Sequence, residues 1–502
     1  MKKRTLALLL LLSLAFSLFS CDKAPAPADT AAQETEGPEQ QIAVIDNGGA
    51  YGGELMKNPY STITKIGDPF ILYENGAYYM YATSTGTGFK CWKSKLLDRW
   101  TELGVVYQKT DATFGDQKFW APECHEYKGK YYLVFSAQNA KTQIHSIGIA
   151  VADKPEGPFT DLLGGKALFA PSYSVIDASL FFDDDGKCYL YYSKDNSTNR
   201  IGDKRVSQSC VIELTNDLKQ TVGDPILLTT PTEAWELKSG GVIWNEGPCV
   251  FKRNGVYYLM FSANYYAAAS YCVGYATATS PTGPFTKPKN NPILQGDGKL
   301  TSGTGHNNFF FSPDGTEMFT VYHSHTDVKN PSGDRTPCID RMVFAEDGTL
   351  SINGPSTWRQ PVPSGLNGIT TIHEGVKAEL DGKEAKLLLD GSTGSLATGT
   401  YCKLTGESTV KLTFDEETPL TFVWIYPASY PGYIPQTATV TVNGEYRIEN
   451  VRFSADKKSP ALCVLTELPK DTKVKTLEIT LTLKDGQETA GLSEIILQKK
   501  EK

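Results

Sequence analysis

Residues 245–263 read NEGPCVFKRNGVYYLMFSA: an acidic start, an apolar run, an Asn-Gly pair, then aromatics ending in small side chains. Four other stretches follow the same plan: DPFILYENGAYYMYATS at 68–84, WAPECHEYKGKYYLVFSA at 120–137, IDASLFFDDDGKCYLYYSK at 176–194 and HNNFFFSPDGTEMFTVYHS at 306–324. Each centre is Asn-Gly, Lys-Gly or Asp-Gly, pairs that favour tight hairpins because glycine tolerates positive φ. The flanking runs alternate aromatic and small side chains, as half-buried strands do. A fainter echo follows the hairpins. Ala150-Val151-Ala152 leads to Pro155-Glu156-Gly157-Pro158-Phe159, Ala276-Thr277-Ala278 leads to Pro281-Thr282-Gly283-Pro284-Phe285, and Lys93 to Val106 has Trp100 in the Phe place. These read as a third strand, a turn and an outer fourth strand. Self-similar units of four strands predict a five-bladed β-propeller. A β-sandwich of similar hairpins is the competing arrangement, and the outer-strand echo favours the propeller.

Working outward, the repeat stops after Leu350. A linker-like stretch, 358–368, leads to shorter strands with Lys, Glu and Thr surfaces, among them STVKLTF, TFVWIYP, TATVTVNG and TLEITLTL. These predict a second all-β unit, a β-sandwich. Towards the other end, Lys2, Lys3 and Arg4 precede a short apolar run that finishes in Leu18-Phe19-Ser20-Cys21. The run is too short to span a bilayer and resembles a bacterial lipobox, with Cys21 as the lipidated residue. Residues 22–40, rich in Pro, Ala and acidic side chains, have the composition of a disordered stalk. The expected organisation is therefore a lipoprotein signal peptide at 1–20, a flexible linker at 21–45, a propeller at 46–360 and a sandwich at 361–502. The location expected is the bacterial cell envelope, lipid-anchored, periplasmic or on the outer-membrane surface.

A net charge of −8 gives no electrostatic reason to bind nucleic acid. Beyond Cys21 the nine cysteines are scattered, with no metal-type spacing, and mostly sit in apolar runs such as those of Cys188, Cys249 and Cys272. They read as buried thiols. There is no GxSxG, P-loop or dinucleotide-binding fingerprint.

In a propeller the opening strands line the axis, so the start of each repeat is where chemistry is expected. Those starts hold Asp68, Trp120 with Glu123, Asp177, Glu246 and His306. Burying several carboxylates together is unfavourable without a purpose. A metal site is one purpose. Inverting glycoside hydrolysis is another: it uses a charged base and a protonated acid roughly 6.5–9.5 Å apart, with water between. A third carboxylate near the acid raises its pKa.

Three motifs, Gly67-Asp68-Pro69-Phe70, Ile176-Asp177-Ala178 and Asn245-Glu246-Gly247-Pro248, together resemble glycoside hydrolase family 43, over roughly residues 60–355. The resemblance implies a five-bladed propeller acting on α-L-arabinofuranosides, β-D-xylosides or, in some members, galactans. It makes Asp68 the general base, Asp177 the residue that tunes and orients the acid, and Glu246 the general acid. It places His306 in the central cavity near a water or a structural calcium ion, with no cofactor required. It makes Arg341 the arginine that contacts the sugar and Asp68. Trp120 offers a flat face to a sugar ring. Phe89, Tyr173, Trp244 and Tyr265 are candidate subsite walls, and Glu123 either receives sugar hydroxyls or closes a hydrogen-bond network. Asp183-Asp184-Asp185-Gly186 reads as a solvated hairpin tip, Glu233 and Glu236 lack the following Gly-Pro, and His323 and His325 form no metal spacing with His125. The end of the chain, from Gly486, resembles discoidin-like sandwiches. Trp424 and Tyr426 read as core and Tyr430 and Tyr433 as a sugar platform.

The expected function is an inverting, exo-acting α-L-arabinofuranosidase on arabinose- or xylose-containing oligo- or polysaccharides. A β-D-xylosidase or bifunctional enzyme, an endo-arabinanase or galactan-active enzyme, and a non-catalytic carbohydrate-binding lipoprotein are the alternatives.

Overall fold

The computed structural model describes residues 42–47, 56–58, 62–393, 400–428, 434–453 and 460–500. Cys21, the leader, the linker as far as Gln41, and Tyr430 and Tyr433 lie outside the described residues. No helix among the described residues is long and apolar enough to cross a membrane. Regular structure in them is strand, apart from the short 3-10 turns Ala234–Glu236 and Lys386–Leu388.

Each repeat is one antiparallel four-stranded sheet, with strands in chain order from the opening one outward. The opening strands are Gly67–Glu74, Gln117–Tyr127, Val175–Phe182, Asn245–Arg253 and Gly305–Phe311. Each packs beside the next, and the fifth lies beside the first. Aromatics from several strands fill the seams. Tyr81, Phe89, Tyr107, Phe119 and Phe135 form one core between the first two sheets. The Pro-x-Gly-Pro turns are tied in as well: Tyr81 donates to the Pro155 carbonyl at 2.5 Å and Tyr191 to that of Pro281 at 2.6 Å, each from the preceding sheet. Asp183 differs from the solvated tip expected of it. It is buried, accepting from Tyr257 at 2.6 Å and Lys252 at 3.1 Å on the fourth sheet.

Beyond Ile369 a seven-stranded and a five-stranded sheet enclose a common aliphatic core that includes Val410, Leu412, Val423, Ile425, Val440 and Leu477. Strand Phe422–Pro427 alternates between two environments. Val423 and Ile425 enter that core, whereas Phe422, Trp424 and Tyr426 pack with Tyr78, Phe310 and Phe319 of the first and fifth repeat sheets and with Ile63 ahead of the first. Period-two alternation thus spends both faces of one strand on burial. One boundary is corrected. Residues 43–45 are not linker, because Ala43–Asp46 pairs in parallel with Tyr446–Glu449 at the edge of the seven-stranded sheet. Their side chains follow the register of that strand. The nine cysteines beyond Cys21 are free thiols, and all but Cys402 are buried.

Candidate active site

All five opening strands carry the same irregularity. Register with the second strand slips between Gly67 and Phe70, Trp120 and Glu123, Ile176 and Ser179, Glu246 and Cys249, and Gly305 and Asn308. Within each slip one residue has positive φ: Asp68 at 56°, Ala121 at 46°, Asp177 at 57°, Gly247 at 58° and His306 at 48°. For a side chain with a Cβ that conformation costs about 1–3 kcal/mol and persists only where the surroundings impose it. Bulges re-aim side chains, and here they bring Asp68, Asp177 and His306 to one floor. Glu246 is the exception by one position, since the strained place in its strand belongs to Gly247.

A second repeat fixes the protons. Opposite each slip the second strand supplies Thr83, Ser136, Ser193, Ser262 or His323. Four of these accept the backbone N–H of the strained residue in the following sheet. Ala121 donates to Thr83 at 2.8 Å, Gly247 to Ser193 at 3.1 Å, His306 to Ser262 at 2.7 Å and Asp68 to His323 Nδ1 at 3.2 Å. A backbone N–H can only donate. Each hydroxyl, having accepted, sends its own proton elsewhere. Thr83 donates to Asp68 Oδ2 at 2.6 Å and Ser193 to Asp177 Oδ2 at 3.0 Å.

The three carboxylates are all enclosed, but differently partnered. Burial opposes charge on Asp68, yet Arg335 at 2.8 Å, His306 at 3.4 Å, His323 at 3.6 Å and the Thr83 hydroxyl together hold it well below the usual carboxylate range. Glu246 is 9% exposed, and burial followed by the nearby Asp177 charge pushes it well above that range; Tyr271, donating to Oε1 at 2.9 Å, opposes the shift. Asp177 is raised to about 6 by burial, against which His306, the Gly247 N–H at 3.0 Å and Ser193 pull downward. The floor therefore carries one carboxylate pressed towards its ionised form and one pressed towards its protonated form. That division is what acid–base catalysis uses. Burial and the Arg335 charge likewise press His323 below its ordinary pKa, so it stays neutral.

The remaining expected residues divide. Trp120 is half-buried at the rim, stacked on His145 with ring centroids 4.5 Å apart. Trp244 stacks on the exposed Tyr265 at 5.6 Å, and Tyr265 meets Tyr266, over which the Arg335 guanidinium lies at 4.8 Å. That aromatic run leads to Asp68. Tyr173 is half-buried against the third sheet, its hydroxyl 3.2 Å from that of Tyr192. Glu123 closes a network, accepting from Asn308 at 2.7 Å and lying 3.0 Å from His125. A cavity of about 430 Å³ opens beside Asp68, lined by Lys65, Gly67, Thr83, Ser84, Asp334 and Arg335 among others.

Two expectations are corrected. Phe89 is no subsite wall: it is fully buried among Tyr107, Phe119 and Phe135. Arg341 does not approach Asp68. It pairs with the buried Glu317 at 3.2 Å and donates to the carbonyls of Pro361 and Val362, at the seam with the C-terminal unit. Arg335, six residues earlier on the same strand, takes the place expected of it. Sequence reading also passes over Thr83, Ser193, Tyr271 and His323. The first two and His323 follow from hairpin register, since each lies opposite a repeat start. Tyr271 is on a loop and has no such signal. Glu236, which the sequence gives no catalytic context, is fully buried with Lys287 at 2.6 Å, and its Oε1 accepts from Asn245, the neighbour of Glu246.

Among the described residues no three His, Cys, Asp or Glu side chains are grouped to hold a metal ion. The carboxylate nearest His306 is Asp68, already paired with a guanidinium. This donor set does not fit a calcium cage of six to eight oxygens, and no step below passes through a metal.

Residues 56–350 match the model described as glycosyl hydrolases family 43. A β-D-galactofuranosidase of Aspergillus niger is 34% identical over 303 residues, 56% of this chain and 81% of its own. A xylosidase/arabinosidase of Humicola insolens is 34% identical over 37% of this chain, which spans 62% of that enzyme. Among solved structures, a thermostable family-43 glycoside hydrolase is 42% identical, covers 62% of this chain and 99% of its own, and has a TM-score of 0.59.

Proposed function

The chain belongs to glycosyl hydrolases family 43 and is a glycoside hydrolase, and from that premise we propose that it is an inverting, exo-acting α-L-arabinofuranosidase of plant polysaccharide side chains or their oligosaccharides. The observation that carries the mechanism is the opposed environment of Asp68 and Glu246, two enclosed carboxylates of one floor, one held ionised and one protonated. In this reading Asp68 removes a proton from water as the water oxygen attacks the anomeric carbon. The glycosidic C–O bond breaks, and Glu246 gives its proton to the departing oxygen. Asp177, through its charge and its contacts with Gly247 and Ser193, holds the acid in its protonated form. Solvent then restores both protonation states.

The aromatic run from Trp244 to Tyr266 suits the faces of sugar rings, and Trp120 offers a further flat face. Arg335 serves Asp68 and a sugar hydroxyl together. Enclosure of Asp177 at 6% and Glu246 at 9% exposure supports a pocket that takes a chain end. We read the five repeat sheets as the blades of a propeller, supported by the cyclic neighbourhood of their opening strands, and the two later sheets as a sandwich around one core. The leader ending at Cys21 supports a lipid-anchored protein of the cell envelope.

A β-D-xylosidase is the second reading, favoured by the Humicola insolens relative, whose name joins both activities. Aryl α-L-arabinofuranosides, β-D-xylosides and β-D-galactofuranosides separate these readings, with product analysis on arabinan and arabinoxylan. Proton NMR of the first-formed sugar is expected to show the inverted anomer. Retention, or no release from any of the three glycosides, overturns the proposal.

A further inference from the structure

We propose that Tyr271 is a positioning residue for the general acid: by donating to Glu246 Oε1 it keeps that oxygen an acceptor and so confines the transferable proton to Oε2. The inference rests on the reading of Glu246 as the acid. The Tyr271 hydroxyl donates to Glu246 Oε1 at 2.9 Å, and the oxygen that receives this hydrogen bond is the one that serves as acceptor.

The other two carboxylates also each accept from one hydroxyl. Ala121 N–H locks the Thr83 hydroxyl onto Asp68, and Gly247 N–H locks the Ser193 hydroxyl onto Asp177. Glu246 stands one residue ahead of the strained position, opposite Ser262 in register, and a tyrosine spans the difference. Tyr271 is built in for that place. It is fully buried, its ring lies parallel to neutral His323 with centroids 5.5 Å apart, and a Cβ on Gly305 would fall 2.2 Å from its ring.

Donation to Oε1 stabilises the carboxylate that forms as Glu246 gives up its proton. Its loss therefore matters only where the leaving group needs that proton. In Tyr271→Phe, kcat for phenyl or alkyl glycosides of the cleaved sugar should fall about 10- to 100-fold, while 2,4-dinitrophenyl glycosides change less than about threefold. The basic limb of the pH profile should move up by about one unit, because a donor to the charged form is gone. The difference infrared band of the protonated Glu246 carboxyl, assigned by its loss in Glu246→Gln, should persist to higher pH in Tyr271→Phe whichever glycoside is cleaved. An equal loss on both leaving groups with an unmoved limb and band overturns the proposal. If Glu246→Gln itself shows no leaving-group dependence, the acid assignment fails, and the Tyr271 proposal falls with it. If Glu246→Gln shows that dependence and Tyr271→Phe does not, only the Tyr271 proposal falls.

Discussion

Asp68 and Glu246 sit on one floor at equivalent ends of repeated strands, and their surroundings differ in every respect that sets a proton. Asp68 meets a guanidinium, two imidazoles and a hydroxyl. Glu246 meets one phenol and another carboxylate. Desolvation works in the same direction on both, so the division comes from the neighbours. The first–fifth seam supplies a guanidinium and the third–fourth seam a like charge. The fold gives five similar strand starts, and function was placed by changing what faces them. The comparison breaks most directly by removing either charge state. Asp68→Asn and Glu246→Gln are each expected to cost about 10²–10⁴-fold in kcat on a poor leaving group, with circular dichroism and melting unchanged. Wild-type rates in either variant would sink the assignment.

The next effect is smaller and has a sign. Activity needs Asp68 ionised, so it falls as pH drops through the Asp68 pKa. It needs Glu246 protonated, so it falls as pH rises through the Glu246 pKa. Arg335→Gln removes the strongest of the groups that lower Asp68. The acidic limb of kcat/KM should then climb by at least about one unit, with KM raised if the guanidinium also holds sugar. Asp177→Asn removes a like charge from beside Glu246, and the basic limb should move down by about one unit. Opposite movements of opposite limbs are the signature of the division. Limbs moving together would show that the two seams are not separate.

Much of this floor was legible because it repeats. The hairpin motif located the five strand starts, and the starts located Asp68, Asp177, Glu246 and His306. What the repeat did not carry was depth along a strand and the content of loops. Phe89 is aromatic near a strand start, but it begins a third strand, whose partner register with Thr83 points it into the seam with the second sheet. Tyr271 came from a loop without periodicity. His323 was legible in principle, since it opposes Gly305 in the fifth hairpin just as Thr83 opposes Gly67 in the first. A histidine standing where other repeats have a hydroxyl is a signal that metal spacing alone does not catch. The edge strand at 43–46 had no signal either, because its partner lies about 400 residues away in the chain and only the folded sheet brings them together.

The two arginines of strand Arg335–Phe344 show how far register decides function, and they set the last test. Arg335 and Arg341 are six residues apart, so alternation puts them on one face. Cross-strand pairing separates them along that face. Arg335 lies opposite His325, next to the rung of His323 and the floor, whereas Arg341 lies opposite Phe319, three rungs away towards the C-terminal unit. There its guanidinium covers Phe319, pairs with Glu317 and caps two carbonyls of the stretch that leads to the C-terminal unit. Both partners are under 10% exposed, so Arg341→Met leaves a buried carboxylate uncompensated, and the expected cost is about 3–5 kcal/mol of stability. Turnover of the folded variant at 25 °C should match the wild type, and both limbs of its pH profile should stay in place. Arg335→Gln should instead move the acidic limb, which Arg341→Met leaves in place. Should Arg341→Met instead shift the acidic limb with its stability intact, the guanidinium serving Asp68 has been misassigned, and the contrast between the two ends of the strand collapses.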